Sequence, residues 1–307
     1  MEIRNLSKNL FHKFLFMYSY IYDSFLNNKK FNGVLTKIEN RAIDLGISGK
    51  INRLTLFKNI EELVKDEIKR GAMTIVIVGN DKTLSRIINT IAELDIVLGI
   101  IPIGSQNKIS RVLGIPPGET ACDVLSARKI EKVDLGKINN YYFLSSVQLF
   151  SDDIEISSEG KFQIAPLAHN NFIEISNLRC FPPEKIPVSF QTKITPSNPQ
   201  DGILEVFIES IPEPFLVDRL VNIFKKFSNS IEYLLFRKAG SKSLFFSPML
   251  ARKKVLKRSI FPVKKITLRA KKSISLLVDG YKIFKTPATI EVVPQKLKMI
   301  VGKERLF

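Results

Sequence analysis

Short apolar runs alternate with amphipathic segments over the first 125 residues of the chain. Residues 73–78 form an apolar run rich in β-branched side chains, and residues 84–91 follow with apolar side chains at helical spacing. A second apolar run covers 98–101. Strands that alternate with helices are typical of βαβ units, whose parallel sheet is buried on both faces. The pattern therefore predicts an N-terminal α/β domain.

The segments before and after residues 73–101 complete the predicted domain. The apolar run at 14–22 is interpreted as the first strand and not as a signal peptide, because it is short and no small-residue cleavage site follows it. We expect Gly46 and Gly71 to end two helices. The predicted elements are strand 14–22, helix 31–45, strand 51–56, helix 59–70 and helix 119–127.

The hydrophobic period changes after about residue 125. Short runs separated by Gly, Pro, Asn and Ser indicate an all-β sandwich, with one helix at 215–238. The predicted strands are 141–150, 151–158, 172–175, 188–194, 203–208, 274–278, 290–294 and 297–301. We therefore predict two domains, 1–125 (α/β) and 126–307 (β-sandwich).

Charge and rare residues limit the possible functions. The chain has 307 residues and a formal net charge of +17, which favours an anionic partner such as a membrane surface, a phosphorylated ligand or nucleic acid. Only Cys122 and Cys180 occur, so no disulfide framework is indicated and a cytoplasmic location fits best. His12 and His169 have no metal ligand at suitable spacing.

Two polar turns follow the central strands, at the sheet edge where ligands bind in open α/β folds. The first turn reads Gly79-Asn80-Asp81-Lys82-Thr83. The second reads Pro102-Ile103-Gly104-Ser105-Gln106-Asn107-Lys108. They resemble the Gly-Gly-Asp-Gly-Thr and Pro-x-Gly-Thr-Gly-Asn-Asp loops of the diacylglycerol kinase and sphingosine kinase superfamily, which shares its fold with NAD kinases.

The resemblance extends along most of the chain. Further segments are similar to the family's Leu-Gly-Ile-Pro, its Asp-Leu-Gly strand, its Asp-Asp-Gly-Leu-Leu-Asp segment and its closing Asp-Gly-Glu. They are residues 113–116, 134–136, 201–205 and 279–281. The last two favour lipid kinases over NAD kinases, which are a weaker third possibility.

The resemblance implies ATP and Mg²⁺ as cofactors. Asp81 would serve nucleotide and metal, and Asp279 would be the general base for a lipid hydroxyl. The implied nucleotide-binding residues are Gly79, Asn80, Lys82, Thr83, Gly104, Ser105 and Asn107. Independently of the resemblance, Asn-Asp and Asp-Gly pairs are common turn formers, and Thr83 and Ser105 can act as helix caps.

Five positions depart from the family pattern. Asn80, Lys82 and Gln106 replace glycines, Lys108 replaces an acid, and Tyr281 replaces the glutamate. The leading hypothesis is an ATP-dependent lipid kinase of the diacylglycerol type. The alternative is a catalytically inactive descendant that binds lipid or nucleotide.

A long segment without acidic residues precedes Asp279. From 237 to 278 the chain has thirteen Lys and Arg residues and no Asp or Glu. This segment is either a solvated basic face or a contact for an anionic surface. We expect a lipid or anionic membrane surface and a nucleotide as partners, and no nucleic acid.

Overall fold

A computed structural model describes residues 18–55, 59–105, 107–158, 162–164, 171–180, 197–210 and 258–307. Strands and helices alternate through its first part. The strands are β1 (Tyr18–Tyr22), β2 (Lys50–Arg53), β3 (Thr74–Gly79) and β4 (Val97–Pro102). The helices are α1 (Asn32–Asp44), α2 (Ile60–Lys69), α3 (Asp81–Ile91), α4 (Lys108–Val112) and α5 (Ala121–Ala127).

The first four strands form a parallel sheet in the order β2-β1-β3-β4. Every residue of β3 is buried, as expected for a strand covered by helices on both faces. Gly46 and Gly71 follow α1 and α2 with φ of 66° and 97°, the left-handed conformation expected of a residue that ends a helix. The predicted α/β architecture is confirmed.

The second part of the chain consists of strands. They are β5 (Ile130–Ile138), β6 (Tyr141–Phe143), β7 (Ser146–Phe150), β8 (Glu155–Ser158), β9 (Phe162–Ile164), β10 (Asn171–Ser176), β11 (Leu204–Ser210), β12 (Arg258–Val263), β13 (Lys265–Arg269), β14 (Ser275–Val278), β15 (Lys282–Lys285) and β16 (Ala288–Ile300). An antiparallel small sheet has the order β12-β11-β10-β7-β14-β15. The remaining strands form its partner layer, and one apolar core fills the space between the two layers, so the predicted β-sandwich is confirmed.

The last strand connects the two parts. β16 pairs with β13 and β5 in the sandwich, and its end runs parallel to β4, with Lys298 opposite Val97. The parallel sheet therefore continues into one layer of the sandwich as a large ten-stranded sheet. The division of the chain near residue 125 stays a prediction.

Two strand predictions were wrong in detail. The single strand expected at 141–150 is two strands, β6 and β7, because the backbone N–H groups of Leu144 and Ser145 between them donate to a side chain and not to a neighbouring strand. The final pair of strands is the one strand β16, whose register shifts between Val293 and Leu297 around the left-handed Gln295.

Several predicted features lie outside the described residues. They are the start of the first strand, the strand at 188–194, the helix at 215–238, both histidines, and residues 237–257 of the basic segment. Among the described helices, none is long and apolar enough to cross a membrane.

Candidate functional site

The first loop joins β3 to α3, and its helix is capped by Asn80. The Asn80 side-chain oxygen accepts the backbone N–H groups of Lys82 at 3.1 Å and Thr83 at 3.3 Å. Free N–H groups at a helix N-terminus are the donors that usually meet a phosphate. The amide of Asn80 therefore occupies two of the groups that a nucleotide would need.

Thr83 neither caps the helix nor faces an open site. Its hydroxyl donates to the carboxylate of Asp23, at the end of β1. Gly79 allows this contact, because a Cβ at that position would lie 2.9 Å from Thr83 Oγ1. Asp23 thus brings a negative charge to the first loop.

The second loop follows β4 and leads into α4. Gly104 has a φ of 81° and packs below the ring of Phe25. Asn107 Nδ2 donates to the Gly104 carbonyl oxygen at 3.0 Å, which closes the turn. Ser105 is exposed, and so is Gly104 before it.

Asp81 connects the two loops. Its carboxylate accepts the backbone N–H of Lys108 at 2.6 Å and that of Ile109 at 3.2 Å. These are the first two residues of α4, so the side chain of the first loop caps the helix of the second. A cap of this type is typically worth about 1 kcal/mol.

Asp279 lies in the turn between β14 and β15, with a φ of 48°. Its carboxylate accepts the backbone N–H groups of Leu144 at 3.1 Å, Ser145 at 2.8 Å and Ser146 at 3.2 Å. Three amide donors on one carboxylate hold it in a fixed orientation. Asp279 is thus the anchor that separates β6 from β7.

The Asp279 turn lies against α3, and we call this boundary between the two parts of the chain the cleft. The Tyr281 hydroxyl donates to the Ser85 carbonyl oxygen at 3.3 Å and also bonds the hydroxyl of Tyr141. Ser85 lies one turn after Asp81 on the same face of α3. The structure therefore brings Asp81 and Asp279, which lie far apart in sequence, into one cleft.

Both aspartates of the cleft have raised pKa values. Burial raises the pKa of Asp81 to about 6, and the charge of Asp279 adds to that effect. Burial also raises the pKa of Asp279, although the amides of Leu144 and Ser145 oppose the shift. The Cys180 thiol has a raised pKa for the same reason, burial first and then the charges of both aspartates and Glu174.

The side chains around Asp81 are poorly suited to coordinate Mg²⁺. Mg²⁺ requires oxygen ligands in near-ideal octahedral geometry, and both oxygens of Asp81 already accept N–H groups. No group of three His, Cys, Asp or Glu side chains that could hold a metal occurs within the described ranges. The role of Asp81 as a metal ligand stays a prediction.

Sequence reasoning did not identify Glu174, Ser85 or Cys180 as residues of this site. Glu174 is 3% exposed, on a strand whose other side chains are apolar or small and polar. One oxygen accepts from Ser146 and Gln148, both at 2.8 Å, and the other finds no partner among the described residues. An acid inside an apolar strand pattern was the signal available in the sequence.

The fold and cleft define a class of protein in which an α/β layer with polar strand-end turns is joined to a β-sandwich. Within that class, residues 19–138 match the family model described as the diacylglycerol kinase catalytic domain. The predicted resemblance to the diacylglycerol kinase family is confirmed.

Two named relatives and one solved structure show the same resemblance. A Staphylococcus aureus (strain MSSA476) protein named "Putative lipid kinase" is 24% identical over 304 residues, covering 89% of this chain and 92% of its own length. A diacylglycerol kinase of Staphylococcus haemolyticus is 37% identical over 108 residues, one third (33%) of each chain. The crystal structure of a Bacillus anthracis diacylglycerol kinase has a TM-score of 0.65 at 20% identity, covering 93% of this chain and 97% of that one. The likeness to that structure shows the fold.

Proposed function

We propose that this protein is an ATP-dependent lipid kinase that acts on a diacylglycerol-type hydroxyl. The observation that supports it is the meeting of Asp81 and Asp279 in one cleft, where the charge of Asp279 raises the pKa of Asp81. The nucleotide would lie against the two loops of the α/β layer. The lipid hydroxyl would approach from the sandwich side.

In this proposal Asp279 is the general base. The lipid oxygen forms a bond to the γ-phosphorus while the bond to the β–γ bridging oxygen breaks, ADP leaves, and the hydroxyl proton passes to the Asp279 carboxylate. Burial raises the pKa of that carboxylate, which makes it a stronger proton acceptor. Its three backbone hydrogen bonds fix its position during the reaction.

The loop residues would position the nucleotide. Gly79 and Gly104 let the backbone approach the phosphates, and the exposed side chains of Lys82 and Ser105 would donate to them. Asn107 would hold the second loop in shape through Gly104. In this proposal the protein works in the cytoplasm at the surface of an anionic membrane, where its lipid substrate resides.

A second candidate is a non-catalytic protein that binds lipid or nucleotide with the same fold. One specific observation favours it. Asn80 occupies the N–H groups of Lys82 and Thr83, and Asp23 adds a negative charge beside them. A bound phosphate would have to displace the Asn80 side chain and tolerate the negative charge of Asp23.

The two candidates are separated by labelled-phosphate transfer from ATP to dioctanoylglycerol in mixed micelles, together with calorimetric ATP titration. General-base assistance is worth about 10²–10⁴-fold, so Asp279→Asn should slow transfer by that factor and leave ATP affinity unchanged. Asp44→Asn, at the exposed end of α1, is the matched control and should change neither quantity. Absence of transfer by the wild-type protein, with ATP or lipid still bound, would establish the non-catalytic candidate.

A further inference from the structure

Lys108 is a cationic residue that lies next to Asp81. It begins α4 and donates its backbone N–H to Asp81 at 2.6 Å, while the residue itself is exposed. Its positive charge acts on two acids, one from each layer, because it opposes the raised pKa of both Asp81 and Glu174. For both acids burial is the larger effect, and it raises the pKa. Lys108 is therefore a cation at the start of the second-loop helix, held beside the Asp81 carboxylate through its own backbone N–H.

Three acids of the cleft already accept hydrogen bonds from donors of the protein. Asp81 accepts two backbone N–H groups of α4, and Asp279 accepts three between β6 and β7. Glu174 accepts from Ser146 and Gln148. In the described part of the chain, these carboxylates do not form a cluster that could hold a metal.

The residues that depart from the family pattern change the charge in one direction. Lys108 stands where the resembling loop has an acid, and Tyr281 stands where the closing motif has a glutamate. The first change replaces a negative with a positive charge, and the second removes a negative charge. A divalent cation placed beside Asp81 would be repelled by the Lys108 ammonium and would meet fewer carboxylates.

We propose that Lys108 supplies the positive charge that a bound Mg²⁺ would otherwise supply, so that the cleft binds a phosphate group without a divalent metal. The proposal rests on the proposed function only in that a phosphate-bearing ligand enters the cleft. Lys82, exposed on the first turn of α3, provides a second ammonium group at the other loop. A lysine is an effective point charge for phosphate and needs no metal to bind it.

The shared ligand chemistry is a terminal phosphate, which either a nucleotide or a lipid headgroup can present. Calorimetric titration with ATP and with dioctanoyl phosphatidate, each in EDTA and in excess Mg²⁺, distinguishes the two sources. Whichever of the two ligands the cleft binds, we expect the wild-type protein to bind it with the same affinity in EDTA and in excess Mg²⁺. Removing one charged donor should weaken binding by roughly 10- to 100-fold, so Lys108→Met should show that loss in EDTA.

The reverse variant tests metal exclusion without any phosphate ligand. Lys108→Asp restores the acid of the family loop beside Asp81, and we expect it to bind Mn²⁺, measured by loss of the free-ion signal in electron paramagnetic resonance. The wild-type protein should not bind Mn²⁺ in this assay. Lys65→Asp, an exposed charge reversal on α2, is the control and should behave as wild type.

Each outcome decides the question. Phosphate binding that requires Mg²⁺ in the wild-type protein would overturn the proposal, as would equal Mn²⁺ binding by wild type and Lys108→Asp. If neither ATP nor phosphatidate binds under any condition, the proposed function fails. The Lys108 proposal then fails as well, whereas binding of phosphatidate alone in EDTA would support it and overturn only the proposed function.

Discussion

The carboxylate of Asp81 accepts the backbone N–H of Lys108 at 2.6 Å, so one nucleotide-type loop caps the helix of the other. Asn80 caps its own helix α3 in a similar manner. Both loops are thus closed by side chains of the chain itself. A phosphate must displace the Asn80 cap to reach the backbone N–H groups of Lys82 and Thr83.

Asn80→Gly should release the N–H groups of Lys82 and Thr83 and improve binding of a phosphate-bearing ligand. The loss of stability should be only a few tenths of a kcal/mol, because glycine is itself an acceptable cap. Isothermal calorimetry with ATP and thermal unfolding measure the two effects. Asn59→Gly removes an equivalent cap from α2, whose Glu61 N–H lies 2.9 Å from Asn59 Oδ1. That control should lose similar stability without any change in binding.

If Asn80→Gly weakened phosphate binding, Asn80 would be a ligand-binding residue and not an obstacle. The same result would support the original assignment of Asn80 to the nucleotide site.

Glu174→Gln should stabilise the protein at neutral pH. Burial raises the pKa of Glu174 above its ordinary value of 4.5, and Lys108 and Arg179 offset only part of this effect. Between the ordinary and the raised pKa the native state keeps a proton that the unfolded chain releases, so the free energy of unfolding falls as pH rises through this window. Glutamine keeps an acceptor for Ser146 and Gln148 and carries no charge.

Urea unfolding from pH 4 to pH 8 tests this prediction. The variant should exceed wild type most at high pH, and the difference should vanish near pH 4, where both forms are neutral. Glu304→Gln, at an exposed site, is the control and should follow wild type throughout. A variant that is less stable than wild type at pH 8 would show that the Glu174 charge is stabilised in the native protein.

Gly136→Ala should destabilise the sandwich. A Cβ at this position would lie 2.0–2.5 Å from ring carbons of Phe143, which is itself fully buried. Overpacking of this kind typically costs about 1–3 kcal/mol.

Gly33→Ala is the matched control, because nothing lies within 4 Å of the added Cβ on α1. There the change should be neutral or stabilising by up to about 1 kcal/mol. Denaturant unfolding compares the two, and equal stability of both variants would contradict the packing argument.

The basic segment 237–278 should attract anionic membranes. Only residues 258–278 of it are described, and Lys271 and Lys272 are exposed there in the turn before β14. A basic residue near a charged membrane surface contributes about 1 kcal/mol, and salt weakens the attraction. Sedimentation with phosphatidylserine vesicles should show binding that falls with salt, and the double change of both lysines to glutamate should reduce it.

The control for vesicle binding is Lys65→Glu with Lys69→Glu on α2, which makes the same change in net charge at another exposed face. Equal loss in both double variants would mean that net charge alone, and not the position of the segment, determines membrane binding. Equal binding to neutral vesicles would exclude the electrostatic account.

The sequence alone determined the order and type of most described elements. Apolar side chains at 3.6-residue spacing predicted α1 and α2 within one residue at each end, and the buried run before Gly79 predicted β3. The same spacing predicted α3 from residue 84, whereas the helix begins at Asp81. The Asn-Asp and Asp-Gly pairs also predicted turns at Asp81 and Asp279. These are local properties, because helix and strand periodicity, caps and turn residues depend on neighbours along the chain.

The tertiary structure decided what those turn residues contact. Asp81 meets a backbone amide 27 residues away, and Asp279 meets one 135 residues away. Such distant contacts also break the predicted strand at 141–150 and bury the carboxyl group of Glu174. Local periodicity does not encode them, because hydrogen bonds and charge interactions across a cleft depend on how the packed layers bring distant segments together.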